Sequence, residues 1–565
     1  MREVRSFRRW APFAALGVLL ALRPIRAEQA SRIDQVLDAI VANESKLAGT
    51  LESYHPLVET YIQTLAPDAA LGYTPVRDNY FFGRMQLTPS APVAAEKKSK
   101  ESRKAPKRTL SLFEEFHSAI FKPESFGRML VLDRGAFDRQ HYEFEFVRAE
   151  FLAEVRTLVF DVTPKSGAAL DRLGSDRFTG RIWVDDQGYQ IVRYNGIYSS
   201  VMVPGMHFDS WRLNMAPGLW LPAYVYTEEP DRASKQLEYM HKGQTRIWGY
   251  AIERPDADDE FTKVLIDAPE TRDASEQPGQ ISPVESARSW ENEAEQNVVR
   301  RLERAGLLAP SGELDRVLET VVTNLEVTNS LDIQPPVHCR VLLTTPLESF
   351  TLGHTIVLSR GLIDVLPNEA SLAMMLAHEL GHILGGHRLD TRYAFSDQML
   401  VGDGQAMQQF DFQRNPVEEQ EADAKAFDLL AASPYKNELG NAGLFLKALA
   451  ASAERLPALI RPHFGTKMAN GQMAYRLPRL VELAPELDPG AVAQIAALPL
   501  GGRVKLDPWN ARVELMKNNR VALMSAREKM PFQVTPLVPY LARIGAKTPG
   551  GVEAVAERGK PAPRP

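Results

Sequence analysis

The feature that most constrains this chain is LAHELGHILGGHRLD, residues 376–390, in which a glutamate follows the first of two histidines four apart. Apolar residues recur around it at helical spacing, which predicts a helix over residues 370–385. On a helix, His378 and His382 lie one turn apart on one face, where both imidazoles can reach one Zn²⁺. Glu379 lies about 100° round the helix, close enough to an activated water to take its proton. The stretch therefore predicts a zinc-binding helix that carries a general base.

Two candidates exist for the third protein ligand. His387 follows His382 by five residues and points away from the metal unless the helix breaks at the glycine pair before it. The other candidate lies in NPVEEQEADAKAFDLLA, residues 415–431, where the Asn-Pro start predicts a helix with Glu419 and Asp423 on one face. A carboxylate from this helix and two histidines make a His₂Glu catalytic zinc set, with Asp423 placed to orient an imidazole. The alternative is a charged, solvated helix face.

The two motifs HELGHILGGH and EQEADAKAF together resemble the gluzincin metallopeptidases of the HtpX, prenyl-protease and BepA type. The resemblance extends over about residues 285–480. It implies one Zn²⁺ per chain, held by the two helix histidines and Glu419, with Asp423 behind them in the second shell of contacts. It also implies a catalytic histidine beyond the second helix, with an arginine close behind it. His463 in RPHFGTK is the candidate for that histidine, although the next arginine follows only at Arg476.

Period-two alternation from residue 109 to about 262 predicts short antiparallel strands separated by Gly, Pro and Asp turns. RIWVDDQGYQIVRY is a hairpin with the turn DDQG, and the segment loosely resembles the sheets of periplasmic lipoprotein-carrier proteins. Helical periodicity then begins near residue 287. The fold class predicted is a multidomain α+β chain: an N-terminal antiparallel β-rich domain, then a mainly helical zincin peptidase domain with a small sheet. SFTLGHTIVLSRG, just before the histidine helix, is predicted to be a strand that could hold an extended peptide.

The N-terminus has the pattern of an export signal. Four arginines precede the apolar run APFAALGVLLAL, residues 11–22, and Ala27 offers a small residue for cleavage. Twelve apolar residues fall short of the ~20 that span a bilayer. We expect export to the periplasm or beyond with cleavage near Ala27; an uncleaved N-terminal anchor is the alternative.

Shifts in composition divide the chain into eight segments. These are a signal peptide (1–27), an N-terminal helix and first strands (28–87), a flexible basic linker (88–108), a β-rich domain (109–266), a linker (267–286), the zinc peptidase domain (287–482), a C-terminal extension (483–543) and a disordered tail (544–565).

Composition excludes several classes of partner and site. The net charge of −6 gives no overall field for attracting nucleic acid. A single cysteine leaves no internal disulfide and no thiolate cluster, and Cys339 lies in an apolar strand pattern that predicts burial. The basic linker could make peripheral contact with an anionic membrane surface, although its composition favours a solvated loop.

These patterns predict an exported zinc endopeptidase that cleaves proteins or peptides, most simply misfolded or unassembled envelope proteins. The alternative is a binding or chaperone protein. In that case the β domain holds lipid, lipoprotein or outer-membrane clients, and the zinc site is structural or rarely active.

Overall fold

The period-two alternation over residues 109–262 corresponds to seven antiparallel strands in the computed structural model of the protein, and two further strands precede it. These are β1 (Leu57–Asp68), β2 (Gly72–Arg84), β3 (Tyr142–Leu152), β4 (Val155–Pro164), β5 (Arg177–Asp185), β6 (Ile191–Ser199), β7 (Met206–Ala216), β8 (Leu219–Pro230) and β9 (Met240–Trp248). The structure describes residues 13–68, 72–84, 126, 129–132, 136–152, 155–165, 177–199, 206–230, 240–250, 283–388, 411–470, 473–474, 476–487, 504–506 and 513–515. The predicted basic linker and C-terminal tail lie outside these residues.

The described chain divides into two compact units. Unit 1 contains the N-terminal helix α1 (Phe13–Leu51) and strands β3 to β8, each of which pairs antiparallel with the next. The predicted DDQG turn joins β5 to β6, where the Asp185 carboxylate accepts hydrogen bonds from the backbone N–H groups of Gln187, Gly188 and Gln190. Such side-chain capping explains why the turn could be recognised from the sequence.

Helix α1 is amphipathic over its last turns, as the sequence predicts. Its buried positions recur at a spacing of three and four: Leu37, Ile40, Glu44, Leu47 and Leu51. This spacing places them on one face of the helix. The face is apolar except for Glu44, whose buried carboxylate is paired within unit 1 with Arg212 of β7.

Unit 2 contains strands β1, β2 and β9 together with the later, helical part of the chain. β1 pairs antiparallel with both β2 and β9. A buried glutamate ties these strands to the helical part: Glu59 accepts hydrogen bonds from Arg246 at 2.9 Å and from the Thr345 backbone N–H at 2.6 Å. Arg246 also donates to the Leu343 carbonyl at 2.8 Å. Strands β1 and β9 are thus hydrogen-bonded to residues of the helical part of unit 2 that lie far along the chain. The domain boundaries predicted from the sequence stay a prediction.

The later part of unit 2 is helical with a small sheet, which confirms the predicted fold class. Its helices are α2 (Pro283–Arg304), α3 (Glu313–Thr328), α4 (Arg360–Val365), α5 (Glu369–Gly385), α6 (Pro416–Ala431), α7 (Leu439–Ser452), α8 (Pro457–Ile460) and α9 (Pro478–Leu483). Its strands are β10 (His338–Leu342), β11 (Ser349–Leu352), β12 (Thr355–Ser359), β13 (Ala469–Asn470), β14 (Met473–Ala474), β15 (Val504–Leu506) and β16 (Val513–Leu515).

The three-stranded sheet of β10, β12 and β11 corrects one sequence-based prediction. SFTLGHTIVLSRG is not a single strand but two, β11 and β12, which pair antiparallel across a turn. Gly353 in that turn has a φ of +57°, a conformation that glycine adopts without strain. The chain leaves the sheet at Arg360 and forms α4 instead of a longer strand, because Ser359 caps that helix through the Leu362 N–H.

Cys339 on β10 is fully buried, as predicted, and burial raises the pKa of its thiol well above the usual range. Within the described ranges, no helix combines the length and the apolar character that crossing a membrane requires.

Candidate metal centre

Helix α5 carries the His-Glu-x-x-His stretch through the middle of unit 2. The Asn368 side chain caps its start by accepting a hydrogen bond from the Ser371 N–H. Residues 373 to 382 are buried without interruption, and His378 and His382 are 0 % and 1 % exposed. A helix that is buried on every side holds its ligand side chains in fixed positions, whereas the ends of a surface helix fray.

Helix α6 begins where the sequence predicts. The Asn415 side chain accepts hydrogen bonds from the N–H groups of Val417 and Glu418, and Pro416 occupies the first position of the helix. Helices α5 and α6 approach closely at Gly381: a Cβ atom there would lie 2.6 Å from the Ala422 carbonyl oxygen. Any side chain at this position would separate the two helices, so Gly381 allows Glu419 to reach the histidines.

Three side chains from the two helices converge on one point. The Nε2 atoms of His378 and His382 lie 3.2 Å apart, and the Glu419 carboxylate oxygens lie 3.3 and 3.7 Å from them. Each of the three residues offers one ligand atom, and these atoms all lie within 4.8 Å of one another. The structure thus brings together the three metal ligands predicted from the sequence.

Asp423 lies behind His378, one turn along α6 from Glu419. Its Oδ1 is 2.7 Å from His378 Nδ1, and its Oδ2 accepts a hydrogen bond from the Leu477 backbone N–H. A carboxylate on Nδ1 holds the proton there and leaves Nε2 free as a ligand. Asp423 therefore occupies the orienting position predicted for it.

His387 is brought to the site by a break in the helix. Gly386 adopts a left-handed conformation, φ +65°, and ends α5. The chain folds back so that His387 Nδ1 lies 2.9 Å from His382 Nδ1, and its Nε2 lies 3.1 Å from Glu421. If His382 donates from Nδ1, its Nε2 remains free to bind a metal. His387 thus supports one ligand from behind and stands outside the group that could hold the ion.

Glu379, the predicted general base, is held on both carboxylate oxygens. Ser349 and Thr351 of β11 each donate a side-chain hydrogen bond of 2.6 Å, to Oε1 and Oε2 respectively. Arg476 Nη1 lies 3.3 Å from Oε1, and its Nε lies 3.7 Å from Glu419 Oε2. The guanidinium therefore lies between the two carboxylates of the site.

The charged groups of the cluster shift one another's pKa values. Burial opposes charge on Glu379 and Glu419, yet the Arg476 guanidinium and the nearby histidines hold the pKa of both carboxyls below its usual range. Burial also disfavours protonation of His378, but hydrogen bonds to acidic neighbours raise its pKa to about 9. Burial lowers the pKa of His382 to about 3.

One orphaned atom shows that the residues fit a metal ion. Glu419 Oε1 is buried and has no hydrogen-bond partner among the residues that the structure describes. An unsatisfied buried carboxylate oxygen is costly, and a cation bound beside two imidazole Nε2 atoms would satisfy it. Two imidazoles and one carboxylate from two helices are the donor set of catalytic zinc sites, which leave a further position open.

His463, the other predicted catalytic residue, lies beside β11. Its backbone N–H donates to Glu348 Oε2 at 2.9 Å, and its ring contacts Phe82 and Phe464. Among the described residues, no hydrogen bond or ring contact joins it to the metal cluster, and its catalytic role stays a prediction. Arg476, which the sequence places too far behind His463 for the family pattern, does reach the site.

Sequence reasoning missed Ser349, Thr351 and the role of Gly381. The available signal was the alternation of two small hydroxyl residues with two large apolar ones in SFTL, just before the metal-binding helix. Alternation of this kind places both hydroxyls on one face of a strand.

One comparison with known proteins covers the helix that carries His378, Glu379 and His382, but not Glu419. The sequence model of peptidase family M48 matches residues 309–408, which supports an M48-type zinc metallopeptidase domain there. A comparison with curated protein sequences finds no significant match.

Two solved structures are similar to part of the chain. A LolA superfamily protein from Nitrosomonas europaea has 13 % identity and a TM-score of 0.19, covering 38 % of this chain and 92 % of that one. A DUF1329 family protein from Desulfovibrio piger has 10 % identity and a TM-score of 0.18, covering 40 % and 98 %. At such scores neither similarity bears on function.

Proposed function

We propose that this protein is an exported zinc-dependent endopeptidase of the HtpX, prenyl-protease and BepA type, which hydrolyses peptide bonds of envelope proteins. The observation that carries the peptidase proposal is the convergence of His378, His382 and Glu419 beside the glutamate of the same motif. The family match over residues 309–408 supports it independently. Export and an envelope role rest on the N-terminal sequence pattern alone.

The residues of the site divide the chemistry among them. His378, His382 and Glu419 would hold the zinc ion, which when bound supplies Lewis-acid polarisation and activation of water. Glu379 takes the proton of the attacking water and delivers it to the leaving amine. Asp423 and His387 keep the Nδ1 side of each liganding ring occupied, so each ring presents Nε2.

The substrate is proposed to lie extended along β11, the outer strand of the three-stranded sheet, as peptides commonly pair with a sheet edge. All four residues of β11 are buried, so a peptide would have to displace the groups that cover this strand. Arg414 bears on this pose, because its Nη2 donates to the Thr351 carbonyl at 3.1 Å. A peptide that pairs with β11 at Thr351 therefore has to displace Arg414.

Replacing the general base tests the proposal most directly. Glu379→Gln keeps the shape of the side chain but removes the proton acceptor, so we expect hydrolysis of unfolded casein to fall by at least ~10²–10⁴-fold. Zinc content, measured by elemental analysis of the same preparations, should not fall with it. Glu418→Gln, the same change at a position outside the site, is the matched control. Equal rates for Glu379→Gln and wild type would refute the mechanism.

A second candidate function is the binding of clients by unit 1. The exposed side chains of Phe146, Val147 and Phe151 on β3 favour it, since they are 46 %, 37 % and 71 % exposed. Lipid, lipoprotein or outer-membrane protein clients are the class proposed. A comparison of client rescue by wild type and by Glu379→Gln distinguishes the two functions. If the inactive variant rescues clients as efficiently as wild type, binding and not proteolysis is the biological activity.

A further inference from the structure

Strand β11 presents two hydroxyl groups to the metal-binding helix. Its residues alternate in direction, so Ser349 and Thr351 share the face toward α5, whereas Phe350 and Leu352 belong to the apolar core on the other face. Ser349 is 0 % and Thr351 is 2 % exposed. Two buried hydroxyls aimed at one buried carboxylate form an arrangement more specific than packing requires.

The hydrogen bonds divide unequally between the two oxygens of Glu379. A carboxylate has about four lone-pair sites, two on each oxygen. Oε1 accepts from Ser349 at 2.6 Å and from Arg476 at 3.3 Å, which fills both of its sites. Oε2 accepts from Thr351 at 2.6 Å and, within the described part of the chain, from no other side chain. Among the described residues, one lone-pair site of Oε2 therefore has no donor.

Arg476 fixes the direction of the Ser349 hydroxyl. Its Nη1 donates to Ser349 Oγ at 2.6 Å, so the hydroxyl accepts from the arginine and must direct its own proton at Glu379. The hydrogen bonds from Ser349 and Thr351 then lie on opposite oxygens. Rotation of the carboxylate about its terminal bond would break both of them.

We propose that Ser349 and Thr351 are positioning residues for the general base: together they lock the Glu379 carboxylate so that Oε2 is its proton-accepting oxygen. The inference rests on the proposed function and extends it. Neither hydroxyl touches the reacting atoms; each acts through Glu379. Ser349 and Thr351 thus orient the carboxylate of Glu379, as Asp423 and His387 orient the imidazoles of His378 and His382.

Thr351→Val tests the proposal, since valine keeps the shape of threonine and removes the donor. With zinc-loaded, full-length protein, we expect kcat to fall by about 10–100-fold, the usual effect of losing such an orienting contact. KM should change by less than about twofold and zinc content not at all, because neither substrate nor metal contacts the hydroxyl. Thr351→Ser restores the donor and should recover most of kcat. Thr355→Val on the paired strand β12 is the matched control.

Thermal unfolding of the metal-free protein gives a second readout that needs no catalysis. Thr351→Val should lower the melting temperature by several degrees in the wild-type background and by less than half as much in Glu379→Gln, because the two residues share one interaction. Two results would overturn the positioning role of Ser349 and Thr351 without refuting the peptidase. One is an equal shift of the melting temperature in both backgrounds. The other is an unchanged kcat for Thr351→Val when Glu379→Gln abolishes activity. If the wild-type protein cleaves no peptide, the proposed function is refuted. The comparison of melting temperatures alone then tests the positioning role of Ser349 and Thr351.

Discussion

Each of the two units buries a glutamate–arginine group, and the two groups differ in how completely they are satisfied. In unit 1, Arg212 donates to both Glu44 oxygens at 2.6 and 2.7 Å, and the Leu132 N–H donates to one of them. Both side chains are 2 % exposed. Both oxygens of this carboxylate have a short, charge-assisted partner, and among the described residues only Arg212 Nε of the pair lacks a hydrogen bond.

In unit 2, Arg476 is shared and its group stays open. One nitrogen is 3.3 Å from Glu379 and another 3.7 Å from Glu419, so neither carboxylate receives a paired, two-bond contact. Glu419 Oε1 has no hydrogen-bond partner among the described residues. Natural structures rarely leave a buried acceptor unsatisfied without a role for it. A closed pair thus indicates a structural contact, and an open group of the same residue types indicates a site.

Breaking the closed pair should have the largest effect. Arg212→Ala leaves Glu44 as a buried charge without its partner, and we expect the free energy of unfolding to fall by about 3–5 kcal/mol. Denaturant unfolding of the full chain measures the change. Zinc content should not alter, because both partners lie in unit 1 and the metal cluster lies in unit 2.

Arg148→Ala is the control for that prediction. Arg148 pairs with Glu150 on β3 with both side chains partly exposed, so its loss should cost about 0–1 kcal/mol. Similar losses from the two substitutions would remove the distinction between a closed buried pair and an ordinary surface contact.

Changing the open group should affect function more than stability. Glu419→Gln replaces the orphaned carboxylate by a weaker, neutral ligand, and we expect zinc retention and peptidase activity to fall together, activity by more than about 10²-fold. Elemental analysis after dialysis against a mild chelator measures the first and peptide hydrolysis the second. Retention of zinc by Glu419→Gln while His387→Ala empties the site would replace Glu419 by His387 as third ligand.

The residues behind the ligands should show the smallest effects. Asp423→Ala removes the carboxylate on His378 Nδ1 and should cost about 10–100-fold in metal affinity or activity. His387→Ala removes the ring beside His382 Nδ1 and should leave the metal bound with a smaller loss. Zinc titration of both variants under one buffer gives the ranking. A larger loss for His387→Ala than for Asp423→Ala would contradict the assignment.

Much of the site could be predicted from the sequence because it lies on two helices with local signals. The His-Glu-x-x-His spacing places two ligands on one face of α5 whatever surrounds it. Asn415 and Pro416 fix the start of α6, and with it the face that carries Glu419 and Asp423. The fold class followed from the change of period from two to 3.6 along the chain.

The sequence by itself determined which helices could hold a metal and which residues on them face it, because helical periodicity is a property of neighbouring residues. Only the tertiary structure decided what surrounds those residues. Ser349 and Thr351 reach Glu379 across 30 and 28 residues, and Arg476 reaches it across 97. The left-handed conformation of Gly386 brings His387 into contact with His382. Glu59 joins β1 to the helical part of unit 2 through Thr345. Contacts between distant segments depend on how elements pack, and packing has no local signature in the chain.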